Sequence, residues 1–488
     1  MSSPDAYESS KFMRALRGFY TPKKEDDAIK QLRNALSSMD HLHEPWTSGV
    51  ITLSEPEKKL FYEQQDGTST SLELGSATVA QAEDLSNACQ PATFGLNHED
   101  VLDETYRKAG KLDAGDFAWL FSPSDRDDFT HKLVSGLFPW RAPDKGFRFE
   151  LYKLNVYGEG SFFKAHQDTP RSEDMFGSLV VLLLFTHEGG SLLLRHRGRE
   201  FEFNGQALLQ DAPSTASAAY VAFFSDVEHE VARVTSGYRV TITFNLYFDA
   251  NKSAPVIQAP ADPHLEHPFK TALSTFINDP ILRLAYPFIG FGLEHAYPFK
   301  SAIRGLANFK GSDAALIKTL DKLHIQYNVF LLYREDKNTV LCPFHVLSTN
   351  IVDGDKYYED DDDYMTNKLE IVAGEGGFLV WDIDPKDVVD SYQLSYSTWY
   401  RFYKKNEKRY KQMKVEWVTE PNEEFLDNSA TIAYGNQAEL EYHYHQLCVV
   451  ATLTPEELSG ERDAQKNSDD DTMDEDGTDE EMDGDEDN

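Results

Sequence analysis

The stretch KAHQD, residues 164 to 168, puts a histidine and an aspartate two positions apart inside a run of aromatic and small residues. On an extended segment side chains alternate between faces, so His166 and Asp168 project to the same side, a placement that suits two ligands on one metal ion. His-x-Asp is a short and common pattern, and an exposed histidine beside a surface acid, or a buried pair, accounts for it equally well when it stands alone. Further along, FFSDVEHEVARVTSGYRVTITF offers His229 near the start of a strand, after roughly four intervening strands that can carry the chain around a barrel and back alongside. Two imidazoles and one carboxylate form a facial set that leaves three positions of a ferrous ion open to other ligands. Arg239 follows His229 by ten positions, and Thr241 lies on the same strand face. A guanidinium fork with a hydroxyl inside a barrel makes a cradle for the far carboxylate of a dicarboxylate. Tyr238, Val240, Ile242, Phe244 and Leu246 form the apolar face of that strand, which weakens the alternative of an arginine on a solvated face. His187 and His196 are the rivals for third ligand, and neither has a strand-borne arginine at the same distance. His295, and His41 with His43, read as ordinary surface or core histidines.

Those residues need a scaffold, and from Phe147 the texture changes to supply one. FRFELYKLNVY, SLVVLLLF, SLLLRH, REFEF, AAYVAFF, HEVARV and YRVTITFNLYF are short apolar or alternating runs, which predict an antiparallel barrel or sandwich with helical buttresses. Upstream, Ile29, Leu32 and Leu36 in EDDAIKQLRNALSSM have helical spacing. Residues 55 to 85 are polar and weakly patterned and read as a loop or excursion. Asn97 with Asp100 resembles a capping box ahead of Val101, Leu102, Tyr106 and Ala109, which predicts a helix over 98–111, and another is expected near Asp125 to Leu137. Beyond Asp249 the pattern is mixed, with a helix expected over Ala314 to Leu323, strands near Tyr327 to Leu332 and Gly377 to Trp381, and no obvious motif or repeat.

The whole composition bounds the function. A chain of 488 residues with 40% hydrophobic and 12% aromatic content can fill two cores. The net charge of −36 argues against non-specific nucleic-acid binding and favours protein or small-molecule partners. Between Glu461 and Asn488 fifteen acids face only Arg462 and Lys466, too polar a segment to offset its ordering entropy. It reads as a solubilising tail, with docking on a basic partner or on WYRFYKKNEKRYKQMK, residues 399 to 414, as the alternative. Cys89, Cys342 and Cys448 are odd in number and far apart, so neither a disulfide framework nor a paired-cysteine zinc site is expected. The N-terminus lacks a signal-like apolar core and LVVLLLF is too short to span a bilayer, so a membrane role is not expected and cytosol or nucleus remains.

Taken together, HQD, the later histidine, and an arginine ten positions on with a hydroxyl residue two beyond it resemble the 2-oxoglutarate- and iron(II)-dependent dioxygenases. LNVYGEGSFFKAHQD is similar to the prolyl 4-hydroxylase-like branch, in which a tyrosine, here Tyr157, precedes the histidine by nine positions. MFGSLVVLLL, EGGSLLLRHRG and FFSDVEHEVARVTSGYRVTITFNLY look similar to fungal members. The likeness is specific over 147–249, thinner over 90–140 and vague beyond. It implies iron held by His166, Asp168 and His229, the 5-carboxylate of 2-oxoglutarate paired with Arg239 and supported by Thr241, and Tyr157 lining the cosubstrate pocket. Oxygen as cosubstrate and ascorbate as reductant come with it. So does hydroxylation of a protein side chain, prolyl by first choice, with 2-oxoglutarate going to succinate and carbon dioxide. Phe163 is a departure, standing where many prolyl hydroxylases carry a tyrosine. In the loop TPRSEDMFG, Arg171 and Met175 are candidate substrate contacts, and Arg195 in RHRGR is a candidate basic rim for an acidic substrate segment.

The expected class is therefore α+β: a double-stranded β-helix core of the jelly-roll or cupin-like kind with buttressing helices, a second mixed α/β domain and a disordered acidic tail. The boundaries expected are a flexible lead over 1–24, the dioxygenase domain over 25–250 with its core at 147–249, a second domain over 251–455 and the tail over 456–488. A non-catalytic jelly-roll scaffold and a nucleic-acid demethylase of the same chemistry are the competing readings. A zinc hydrolase leaves Arg239 and Thr241 unexplained.

Overall fold

The computed structural model describes residues 27–40, 44–96, 99–138, 146–211, 218–249, 251, 268–299, 309–333, 344–350, 369, 372–381, 411–421, 434–435 and 443–453. The expected lead, most of the 399–414 basic stretch and the acidic tail lie outside them, as do His41, His43 and Cys342. Within them the chain is mixed α/β and mostly strand.

The first core is built from two facing sheets. One runs, in chain order, through β1 (Trp46–Ile51), β2 (Gln90–Pro91), β4 (Gly110–Asp113), β5 (Gly146–Tyr157), β7 (Met175–Leu183), β10 (Ala218–Phe224) and β12 (Arg239–Asp249). Its spatial order is β1-β10-β7-β12-β5-β4-β2. The other contains β3 (Arg107–Lys108), β6 (Phe162–His166), β8 (Leu192–His196), β9 (Arg199–Phe203) and β11 (Glu228–Val231), ordered β9-β8-β11-β6-β3. This pair of sheets is compatible with a jelly-roll core. The pairings within them recorded here are all antiparallel. Strands β7 and β10 are almost wholly buried because each has a covered face on both sides, which is why they read as continuous apolar runs and not as alternating ones. The helix Asp127–Leu137, expected from the sequence, buries Phe129, Leu133, Val134 and Leu137 against β1 and β10.

Two expectations fail in the segment before this core. Residues 99–111 form no helix. They hold Glu99–Val101, β3 and the start of β4, because Asp103 caps the Thr105 N–H at 2.8 Å in a tight turn and the Tyr106 hydroxyl reaches the Ala165 carbonyl at 2.5 Å. Tertiary pairing thus overrides the spacing of Val101, Tyr106 and Ala109. Residues 55–85 are ordered rather than loop-like. They make an antiparallel pair, Lys59–Glu63 and Ser69–Glu73, then the helix Val79–Ala88 behind a Thr78/Gln81 capping box. The polarity that disguised them is the solvent face of a three-stranded sheet completed by Phe117–Trp119, whose Leu60, Tyr62 and Leu72 point inward.

A second core surrounds a seven-stranded sheet of β13 (Phe288–Phe299), β14 (Gln326–Tyr333), β15 (Phe344–Ser348), β16 (Phe378–Trp381), β17 (Gln412–Met413), β18 (Val415–Thr419) and β19 (His443–Thr452), ordered β17-β16-β15-β14-β19-β13-β18. The expected helix here is Gly311–Lys322. The amphipathic helix Asp27–Asp40, grouped by sequence with the first domain, packs instead into this second core through Ile29, Leu32 and Leu36 against Phe269, Leu273 and Phe276. Arg33 fixes it there by donating to the Val418 carbonyl at 2.7 Å.

Candidate active site

The first core positions every member of the sequence-predicted metal set in one cavity. Strands β6 and β11 run antiparallel with His166 and His229 as direct register partners, so their imidazoles stand side by side with ring centres 4.1 Å apart. Each ring is turned by its own backbone: His166 Nδ1 donates to the Lys164 carbonyl at 2.8 Å and His229 Nδ1 to the Val227 carbonyl at 3.1 Å. That tautomer leaves both Nε2 lone pairs free for a ligand bond. Burial, then the neighbouring His229, pushes His166 well below the usual imidazole range, so the ring stays neutral as a metal ligand must. Asp168 Oδ1 lies 3.7 Å from His229 Nε2, and its Oδ2 accepts a hydrogen bond from the Ser178 hydroxyl on β7. Phe163, the departure noted above, stacks on His166 with centroids 3.6 Å apart.

Across the cavity, the β5–β12 pairing puts Tyr157 opposite Arg239 and Asn155 opposite Thr241. Arg239 is 2% exposed, and its guanidinium lies 5.3 Å from the Tyr157 ring centre. Gly190 makes room for it, since a Cβ there would stand 2.8 Å from Arg239 Cδ at a φ of +71°. Among the described residues no carboxylate pairs with Arg239, and burial pulls its guanidinium below the usual arginine range. A buried guanidinium without an acid is a site for an anionic ligand.

Residues 152–247 match the 2OG-Fe(II) oxygenase superfamily. None of the curated proteins compared with the chain matches it. Among solved structures, a Pseudomonas putida prolyl-4-hydroxylase is similar at 20% identity, covering 44% of this chain and 99% of that one, with a TM-score of 0.26. A Trichoplax adhaerens prolyl hydroxylase, in complex with a hypoxia inducible factor oxygen degradation domain peptide fragment, is similar at 16% identity over 47% and 96% of the two chains, with a TM-score of 0.27. Likenesses this distant carry none of the argument, which rests on the matched segment and its geometry. The chain carries a 2OG-Fe(II) oxygenase domain.

The residues present fit the groups this class uses. Two imidazoles that spend Nδ1 on backbone carbonyls and keep Nε2 toward the cavity, with a carboxylate anchored by one oxygen, match ferrous iron, and Arg239, with no acid among the described residues, matches a dicarboxylate. The substrate contacts expected from sequence are placed differently from one another. Arg171 stacks over Tyr152, which lines the cavity, at 4.2 Å. Met175 is 2% exposed inside β7 and does not line the cavity. Arg195 pairs with Glu200 at 3.1 Å, Glu230 at 3.1 Å and Glu228 at 3.4 Å, while Arg197 donates to the Leu293 carbonyl and Arg199 pairs with Glu294. Arg195 and Arg199 of the RHRGR stretch are therefore already paired with the protein's own acids. Of the rival histidines, His187 donates to the Phe185 carbonyl.

His196 and His295 form something the sequence did not reveal. Among the described residues, the group of three whose donor atoms all lie within 4.8 Å of one another is His196, Asp226 and His295, where the two cores meet. Asp226 accepts from His295 Nδ1 and the Ala296 N–H, both at 3.0 Å, and from Lys310 Nζ at 2.9 Å. His196 stacks on His295 with ring centres 4.8 Å apart. Sequence reasoning also missed Ser178, Asn155, Arg107 and Lys153, which line the cavity from distant strands. Only the alternation of β5, with Lys153, Asn155 and Tyr157 on one face, carried a signal for the last of these.

Proposed function

We propose that the chain hydroxylates a protein side chain, a prolyl residue by first choice, on a double-stranded β-helix core, converting 2-oxoglutarate to succinate and carbon dioxide. In this reading His166, Asp168 and His229 hold iron, Arg239 and Thr241 hold the far carboxylate of 2-oxoglutarate, and Tyr157 walls that pocket. The observation that supports it best is the register pairing of His166 with His229 beside Asp168, facing a buried arginine that has no acid partner among the described residues. Iron held there would supply oxygen activation coupled to cosubstrate decarboxylation.

The chain's own share is orientation and dryness. Backbone carbonyls of Lys164 and Val227 fix the two imidazoles, Ser178 fixes the carboxylate, and Phe163, Phe223, Leu192 and Val231 line the cavity with apolar surface that keeps bulk water from the reacting centre. With one carboxylate among the three ligands, a divalent ion held there would keep a net positive charge that draws in a dianionic cosubstrate. Ascorbate belongs to the same reading as a reductant. The test is aerobic succinate release from 2-oxoglutarate by the purified chain with ferrous iron. It is paired with mass spectrometry of cell extract treated with wild type or His166→Ala. Succinate release and protein mass gains of one oxygen that need His166 support the reading; no release together with no iron uptake would leave a binding scaffold.

A further inference from the structure

The cavity holds more positive charge than one cosubstrate carboxylate uses. Besides Arg239, it is lined by Arg107 and Lys153, which are 4% and 8% exposed. Arg107 spends its two terminal nitrogens on the Thr93 carbonyl at 2.6 Å and on Asn155 Oδ1 at 2.9 Å, lies 4.3 Å from the Phe163 ring centre, and leaves Nε without a partner. Lys153 makes no hydrogen bond and no ion pair with any described residue, and its ammonium lies 4.5 Å from the centre of the neighbouring Tyr152 ring. The acid nearest in register, Asp113 on β4, is already bound to Lys111 at 3.0 Å. Burial and then the neighbouring cations Lys111 and Arg107 pull the Lys153 ammonium down to about 8, which is the signature of a charge held in a poor environment. The chain carries a net charge of −36, yet among the described residues no acid pairs with Lys153.

The sheet register separates this charge from the cosubstrate cradle. Tyr157 faces Arg239, Asn155 faces Thr241 and Lys153 faces Thr243, so Lys153 sits four strand positions from the Arg239 row, about 13 Å along the backbone. Thr243 in turn faces Val180, two residues from the Ser178 that anchors Asp168. Lys153 is therefore at the metal-ligand end of the cavity, where the reacting carbon of a substrate must come. That distance favours two separate anions over the two ends of one five-carbon diacid.

We propose that Lys153, supported by Arg107, forms a second anion subsite, and that the substrate carries a carboxylate or phosphate group close to the carbon that is hydroxylated. For a protein substrate this means an acidic or phosphorylated residue beside the target side chain. The proposal rests on the oxygenase reading for the meaning of "substrate", and on the chain's own cations for the site itself.

The test is calorimetric titration of the full chain, loaded with Mn(II) and saturating 2-oxoglutarate, with inorganic phosphate as probe. Wild type is expected to show one saturable phosphate site, weakened at least tenfold in Lys153→Met and restored to within threefold in Lys153→Arg. Affinity for 2-oxoglutarate should stay within twofold in all three proteins. Lys153→Met removes an unpaired buried charge, so its melting temperature should not fall; Lys153→Gln serves if it does. A wild type without a saturable site, or a Lys153→Met that binds phosphate equally well, overturns the subsite. A tenfold loss of 2-oxoglutarate affinity in Lys153→Met assigns the ammonium to the cosubstrate's own carboxylate and overturns the substrate assignment. Should wild type bind neither Mn(II) nor 2-oxoglutarate, the oxygenase reading fails, while the same titration without them still decides whether the anion subsite exists.

Discussion

Two clusters of two histidines and one aspartate lie in this protein, and their difference shows what makes a metal site. In the cavity, His166 and His229 each spend Nδ1 on a backbone carbonyl and keep Nε2 free, and Asp168 keeps one oxygen toward them. Where the cores meet, His196, Asp226 and His295 are drawn closer together, yet the carboxylate is already saturated by His295, the Ala296 N–H and the Lys310 ammonium. Burial alone would raise the Asp226 carboxyl, but Lys310 and His295 outweigh it and hold it well below the usual carboxylate range. A cation entering there would meet Lys310 at the same oxygen. Proximity of donors is thus a weaker criterion than free lone pairs, and the tighter cluster is a clamp between cores.

The sharpest way to break this contrast is to count iron. His166→Ala or Asp168→Ala should lose the bound equivalent and drop succinate release to background, whereas His196→Phe should keep both; metal analysis and a succinate assay decide. Iron retained in His166→Ala but lost in His196→Phe would reverse the two roles. Next in size is Asp226→Ala, which leaves Lys310 buried without its acid and should cost about 3–5 kcal/mol in urea unfolding. This clamp also touches the cavity. The backbone carbonyl of Asp226 accepts from Gln167, which sits between the two first ligands, and the following residue's carbonyl turns His229. Turnover should therefore fall in Asp226→Ala even where the protein remains folded and iron-loaded. Smaller again is Arg239→Ala. Losing a charge-assisted contact of about 1.5–3 kcal/mol should raise the 2-oxoglutarate concentration for half-maximal rate roughly ten- to hundredfold, without loss of iron.

How much of this was legible depended on how local each signal was. His166 and Asp168 share a strand face and Arg239 and Thr241 share another, so period-two alternation sufficed to pair them. His229 needed only the guess that the strands return alongside, and the register makes that return direct. The Asp226 clamp was illegible because its partners, His295 and Lys310, come from a different core, 69 and 84 positions away. The 98–111 helix failed for the same kind of reason: Tyr106 and Arg107 answer to Ala165, Thr93 and Asn155 rather than to their neighbours in the chain.

The smallest effect expected is a pH dependence that separates the clusters without touching iron. Burial, then the adjacent His295, depresses the His196 imidazole to about 3, so the folded protein holds it neutral while an unfolded chain protonates it near its ordinary value of about 6.5. Because the folded value is the lower one, this contribution to stability is complete above about 6.5 and is lost as pH falls toward 3, where the folded ring finally takes its proton. His196→Phe keeps a flat ring for stacking on His295 and removes the titration, as well as an Nε2 that has no hydrogen-bond partner. Urea midpoints of the two proteins should therefore lie close at pH 8, with the variant losing less stability than wild type between pH 6 and pH 4. Parallel decline of both would mean that His196 already exchanges protons freely in the folded state, and that the clamp is wetter than its burial implies.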